Sequence, residues 1–214
     1  MRLYIVAGLI GVSCLSAATI TPTSYSMLNG SIASSNQTWW EDTTYLPCPA
    51  SDCTTSNAAL SGGLGKLTDG VTSGLSWDQQ PSGPSTFVGW NLVNPTITFS
   101  FSGPVHIDSV SLHVDDALNR GLVNLPATVT IAGHLFNIPA DNVNGAPRFL
   151  TFNSLNLNAS SVAITLTRSN NWIMLDEVTF DGTVAPEPAS SLAIAAGLAV
   201  LLLWSRRPDN SGSN

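Results

Sequence analysis

Through the middle of the chain, apolar and polar residues alternate with a period of two. In "TITFSF" (96–101), Ile97, Phe99 and Phe101 fall on one face, with threonines and a serine on the other. "SVSLHV" (109–114) repeats the pattern with Val110, Leu112 and Val114. Such alternation is the signature of a half-buried β-strand, because successive side chains point to opposite faces. Further runs, "ATVTIAG", "HLFNIP", "RFLTFN", "SVAITLT" and "WIMLDEVTFDG", follow between Gly, Pro, Asn and Asp punctuation. Between Thr19 and Ala185, about 167 residues, there is no long helical periodicity, no fixed repeat and no dividing linker. The pattern predicts one all-β domain, a sandwich, over 19–185.

The parity of the pattern slips once. Val105 and Ile107 share a face that Val110, Leu112 and Val114 do not, so Asp108-Ser109 marks a β-bulge or a strand break. His106 and His113 fall on the polar side of their runs, and His134 follows Gly133 in a hairpin turn.

The ends of the chain are of another kind. "MRLYIVAGLIGVSCLSAATI" has a positive charge at Arg2, an apolar stretch to Leu15 and small residues at Ser16 and Ala18. That is the layout of a secretory signal peptide over 1–18, with cleavage after Ala18. At the other end, Pro186-Glu187-Pro188 precedes about sixteen apolar residues, Ala189 to Trp204, and then Arg206-Arg207 and a polar tail, 208–214. A bilayer core asks for about twenty apolar residues, so this segment would be a short, weakly held transmembrane helix. The arginines at both ends favour the cytoplasmic side, which places the middle of the chain outside.

Export changes the reading of the cysteines. Without the signal peptide only Cys48 and Cys53 remain, and an even count in an oxidising compartment suggests a disulfide. A redox-active or metal-binding pair is the competing account, without the usual spacing or a nearby histidine.

Four basic residues, Lys66, Arg120, Arg148 and Arg168, stand against twelve acidic ones over 19–185, a formal net charge of −8. That surface would repel phosphates, so nucleic acid is not an expected partner. Nor is catalysis expected. Asp115-Asp116 and Asp176-Glu177 are adjacent in sequence, and strand alternation would split each pair onto opposite faces. No nucleophile elbow, zinc spacing or phosphate loop appears.

Two features suggest binding. "LSGGLGKLTDGVTSGLSW" (60–77) is too rich in glycine for a strand, and with Asp69 it is either a cradle of oxygen ligands for a hard cation or a plain surface loop. Trp39, Trp40, Trp77, Trp90 and Trp172 lie in or beside loop-like stretches. They can be core plugs or stacking platforms for sugar rings. Trp39-Trp40 is the best platform candidate, because adjacent strand residues cannot both face one core. Arg168 with Asn170-Asn171-Trp172, and Asp115-Asp116 with Asn119-Arg120, are the accompanying polar candidates.

The tail, Pro186-Glu187-Pro188, apolar run and Arg206-Arg207, resembles the PEP-CTERM sorting signal of Gram-negative bacteria, although "PDNSGSN" is a few residues longer than that family shows. The resemblance implies processing by an exosortase, transient anchoring in the inner membrane, and delivery to the cell surface or an exopolysaccharide (biofilm) matrix. In the middle, "LTDG" followed by Trp77, "PTITFSF", "LPATVTI" and "WIMLDEVTFDG" resemble the galactose-binding-like jelly roll of discoidin domains and carbohydrate-binding modules, over roughly residues 60 to 182. This implies a jelly-roll sandwich with a structural Ca²⁺ held through Asp69 and Glu177, and ligand contacts at Trp39, Trp40, Trp77, Arg168 and Trp172. "WWEDTTYLPCPASDC" (39–53) has no counterpart in that resemblance and reads as an addition to it.

The expectation is therefore an exported, non-catalytic binder of extracellular polysaccharide or another glycan. A structural or adhesive matrix protein, making protein contacts without a sugar site, is the alternative.

Overall fold

The computed structural model describes residues 18–31, 38–48, 52–140 and 145–184, together with Leu198. The expected signal peptide up to residue 17 and the sorting-signal residues Pro186, Glu187, Pro188, Arg206 and Arg207 lie outside the described residues. No described helix is long and apolar enough to cross a membrane.

The described strands are β1 (Ala18–Ile20), β2 (Ser24–Leu28), β3 (Thr38–Trp39), β4 (Ala59–Gly63), β5 (Gly83–Pro84), β6 (Val88–Asn91), β7 (Thr96–Val114), β8 (Thr128–Ile131), β9 (His134–Asn137), β10 (Arg148–Phe152), β11 (Leu157–Thr167) and β12 (Trp172–Val184). Ten of them form one curled sheet, and β3 pairs with β5 in a separate parallel ribbon. The all-β expectation holds over this span.

The nineteen-residue β7 is the spine. Its first half lies between β2 and β11, and its second half between β12 and β10. Between the two, β7 has four residues, 101–104, opposite the single residue Ser160 on β11. Gly103 and Pro104 fall there, where a regular ladder is not required. The curled sheet thus presents two inner faces to each other. Phe99 and Phe101 of the first half meet Phe180 of β12 at ring-centroid distances of 5.0 and 5.2 Å. On the other flank Phe136 of β9 meets Phe152 of β10 at 4.8 Å. Ile97, Val110, Leu112, Ile164 and Val178 complete the same buried core.

The parity slip in the sequence is a bulge and not a break. Asp181 faces Ser109 while Gly182 faces Ile107, which leaves Asp108 unmatched on β7. The Asp108 carbonyl is taken instead by the N–H of Leu155 at 2.9 Å. β12 follows the bulge closely, since a Cβ on Gly182 would lie 1.9 Å from the His106 carbonyl oxygen.

Candidate functional site

The five candidate tryptophans divide by depth. Trp90 is fully buried, and its indole N–H donates to the Leu28 carbonyl at 2.8 Å. Trp39 and Trp40 point opposite ways: Trp39 is 43% exposed and Trp40 only 2%. Trp40 therefore cannot be a stacking platform. It fills a second apolar cluster with Phe87, Ala117, Val123 and Met174, against which Trp77 and Trp172 are half-buried. Trp77 meets Trp40 edge-on at 6.2 Å and donates its indole N–H to the Arg120 carbonyl at 3.0 Å. Gly121 is pressed on the Trp77 ring, where a Cβ would stand 2.1 Å from it.

The chain beyond Trp40 is pinned to the sandwich by Asp42, which is fully buried. Its carboxylate accepts the Tyr25 hydroxyl, the Thr44 hydroxyl at 3.2 Å and the Lys66 backbone N–H at 3.1 Å. Its own N–H donates to Asn29 Oδ1 at 2.8 Å. Gly65 lets the 65–66 backbone come this close, because a Cβ there would sit 2.5 Å from Asp42 Oδ1. Tyr45 extends the clamp, donating to the Tyr25 carbonyl and accepting the Gly63 N–H at 2.8 Å. A disulfide joins Cys48 to Cys53 in the loop that follows.

On the outer side of this segment, Trp39, Glu41, Thr43 and Thr54 line a groove of ≈ 160 Å³. Glu41 is 1% exposed. One carboxylate oxygen accepts the Ser56 hydroxyl at 3.5 Å, and the other, Oε2, has no hydrogen-bond partner. Burial pushes the Glu41 carboxyl above its usual range. The Lys66 ammonium, 4% exposed, donates to the Glu41 backbone carbonyl, and burial pulls its pKa down to about 8. Glu41, Thr43 and Thr54 were missed by sequence reasoning. An acidic pair and two threonines directly after the double tryptophan were the available signal.

A larger cleft, ≈ 230 Å³, opens at the 116–127 loop and is lined by Asp116, Asn119, Asn124, Leu125 and Ser169 among others. It has no aromatic wall, and its polar groups bond to the protein itself. Asn119 Oδ1 accepts from both Asn124 and Asn170 at 2.8 and 2.7 Å, and Asp116 pairs with Arg148 at 3.1 Å. Arg120 donates to both oxygens of Asp78 and to the Gly145 carbonyl. Arg168 donates to Asn94 Oδ1 at 3.3 Å and to the Asn170 carbonyl at 3.2 Å. Trp172 starts β12 beside Val123. Arg168 and Trp172 are thus apart from the Trp39 groove and built into the packing of their own loops.

The acidic pairs depart from simple alternation. Asp115 and Asp116 do diverge, Asp115 taking the Ser76 hydroxyl at 2.8 Å and the Trp77 N–H at 2.8 Å, yet both are buried. Asp176 and Glu177 are not split. The register steps from Leu175 opposite Val114 to Glu177 opposite His113, so Asp176 is a bulge residue. Both carboxylates turn to the glycine-rich loop: Glu177 accepts the Gly70 N–H at 2.9 Å and Asp176 the Ser73 N–H at 2.7 Å. His113 is buried and not on a polar face. Its Nδ1 lies 2.6 Å from Asp176 Oδ1, and its ring packs on Phe149 at 4.5 Å.

Asp69 and Glu177, the two expected cation ligands, meet at this loop. Burial first, then the neighbouring Asp69 and Asp176 charges, push Glu177 up to about 7. Burial also raises Asp69, whose Oδ1 accepts the Val71 N–H at 2.9 Å. The pair suits a hard cation in kind but not in number. No group of three or more His, Cys, Asp or Glu able to hold a metal is present among the described residues, so loop carbonyls and hydroxyls would have to complete the shell.

Over residues 22–182 the chain matches the DS-like domain of discoidin domain-containing receptor 1/2. The chain belongs to this family. The match begins well before residue 60 and spans the 39–53 segment. No curated protein matches the chain. Among solved structures, the lectin-binding domain of lectinolysin complexed with Lewis b is similar at 14% identity, covering 56% of this chain and 82% of that one, with a TM-score of 0.40. The family 32 carbohydrate-binding module of AlyQ, in complex with 4,5-unsaturated mannuronic acid, is similar at 17% identity over 44% of this chain and 75% of that one, with a TM-score of 0.31. A family 32 module from a family 31 glycoside hydrolase of Clostridium perfringens shows 10% identity over 45% and 75% of the two chains, with a TM-score of 0.34.

Proposed function

We propose that this DS-like domain is an exported, non-catalytic glycan-binding module, delivered to the cell surface or an extracellular polysaccharide matrix. The observation that carries the reading is the Trp39 groove. An aromatic face 43% exposed lines an almost wholly apolar groove edged by Glu41, Thr43 and Thr54. An exposed aromatic face in an apolar groove suits stacking against the C–H side of a sugar ring. The Asp42 clamp and the disulfide hold this groove in shape before a ligand arrives, which lowers the ordering cost of binding.

Export through the 1–18 signal and exosortase processing at the 186–207 tail, with passage through the inner membrane by 189–204, belong to the same proposal and rest on the sequence of those segments. A structural Ca²⁺ is a further part of it: Asp69 and Glu177 would hold the ion, and its charge would relieve the repulsion between them.

Affinity electrophoresis of the 19–185 fragment through gels cast with the producer's own exopolysaccharide tests the reading. Retardation that Trp39→Ala removes supports it. Free migration in every gel, together with concentration-dependent self-association, would replace it with a structural matrix protein.

A further inference from the structure

We infer that two copies of this chain pair sheet on sheet through the outer face of the layer formed by β4, β2, the first half of β7, β11, β8 and β9, about a two-fold axis near Thr165. This goes beyond glycan binding and does not depend on it. The first observation is the placement of charge. Residues 19–185 hold twelve acidic and four basic side chains, and none of the sixteen lies in β2, β4, β8, β9, β11 or residues 96–104 of β7. The inward positions of these strands are core, among them Tyr25, Phe99, Val129 and Ile164. The outward positions form rows of hydroxyls and methyls across the layer. One row runs Thr96, Thr165, Thr130, Leu135 in register, and the next Ser26, Thr98, Ala163. The Thr96 and Thr165 hydroxyls bond to each other at 2.8 Å, so covering them leaves neither without a partner. Toward the two margins stand Leu28, 44% exposed, and Leu135, 62% exposed.

Charge and shape decide the occupant. Two copies of a domain with a formal net charge of −8 repel each other, and an approach through this face sets none of those charged side chains directly against one another. A basic partner protein would find no carboxylate on these strands to pair with, and a sugar ring would find no outward aromatic side chain to stack on. A second copy, in contrast, fits itself. A two-fold axis parallel to β11 through Thr165 turns the first row onto itself in reverse, bringing Leu28 toward the partner's Leu135 and Thr165 beside the partner's Thr165. Aligned sheets pack in this way about 10 Å apart. With strands about 4.8 Å apart and residues about 3.4 Å apart, the strands from β2 to β9 present about 500–600 Å². Two such faces bury about 1,000–1,200 Å² in total, the lower end of specific interfaces.

Sedimentation velocity of the full chain, produced for export and purified in mild detergent, tests this with Thr165→Glu, Thr165→Lys and an equimolar mixture of the two. The wild type should equilibrate between monomer and dimer with a Kd of about 1–100 µM. Salt should tighten the dimer, because it screens the long-range repulsion. Each variant alone should dimerise about tenfold or more weakly, since the axis sets like charges together, and the mixture should recover the dimer through a Glu–Lys pair. Recovery in the mixture also shows that both variants fold. As a second readout, a short bis-maleimide should link Thr165→Cys to its own copy and leave Thr151→Cys, on the outer face of the other layer, unlinked. A wild type that stays monomeric to about 300 µM in high salt would overturn the inference. So would a dimer indifferent to both charge substitutions, which would place the contact elsewhere, the apolar 189–204 segment included. Linking of both cysteine variants alike, or of neither, would overturn it even if the charged variants fail to fold.

Discussion

Replacing each of the two adjacent tryptophans by alanine should produce opposite outcomes. Trp40 keeps 2% of its surface exposed within a cluster of Phe87, Ala117, Val123 and Met174. A tryptophan buries up to about 250 Å², which at about 25 cal/mol per Å² sets an upper limit near 6 kcal/mol. The cluster lies outside the main core and can partly close over the gap, so the expected cost is about 3–5 kcal/mol. For a domain of this length that lowers Tm by about 6–20 °C. Trp39 is 43% exposed on a two-residue strand, so the same arithmetic sets an upper limit of about 3.5 kcal/mol, and with no enclosed cavity left behind its removal should cost about 2 kcal/mol or less. Urea unfolding followed by fluorescence gives the stabilities, and gel retardation gives the binding. Trp39→Ala should stay folded and lose glycan retention, whereas Trp40→Ala should lose stability first. The reasoning fails if both variants unfold at the same urea concentration, or if Trp40→Ala keeps the wild-type midpoint and loses only the glycan.

Three further outcomes follow from other parts of the molecule. Lys66 has a folded pKa of about 8 against an ordinary 10.5, so between those values the unfolded chain binds more protons and stability should rise with pH. Above pH 10 the raised Tyr25 and Tyr45 phenols reverse the trend, because there the folded state holds the extra protons; urea midpoints from pH 7.5 to 9.5 should climb in the wild type and flatten in Lys66→Met, and a flat wild-type profile refutes the assignment. Ca²⁺ should raise Tm relative to chelator, with the shift lost in Asp69→Asn and Glu177→Gln, and an unchanged Tm on adding or removing Ca²⁺ would remove the cation proposal. In the β8–β9 turn, Ala132 and Gly133 have φ of 47° and 86°, a conformation that suits Asn-Gly better than Ala-Gly. Ala132→Asn should therefore stabilise by about 0.5–1 kcal/mol in urea titrations, and a loss of stability would show that the turn is held otherwise.

The strand pattern was legible because each half of β7 is buried on one face, and the bulge at Asp108 was legible because it shifts that pattern by one residue. Where a strand is covered on both faces the alternation fails. His113 looked polar-facing because nothing in its own run shows that Asp176 and Phe149 close over it. The bulge at Asp176 was hidden for a related reason: it sits among Leu175, Glu177 and Val178, and only the pairing with Val114 and His113 reveals the extra residue. That Trp39 and Trp40 must diverge could be read from their adjacency. Which of them is buried depends on residues 87, 117, 123 and 174, brought together only by the folded sheet. The Glu41 side of the groove depends likewise on Lys66 and Thr54, one from the glycine-rich loop and one from beyond the disulfide.

The most direct test of the central claim is calorimetric titration of the producer's exopolysaccharide into wild-type protein and into Trp39→Ala, each shown to be folded by its unfolding midpoint. Saturable binding by the wild type that the variant has lost is the predicted result. Identical heats from both proteins, whether binding or none, would contradict it.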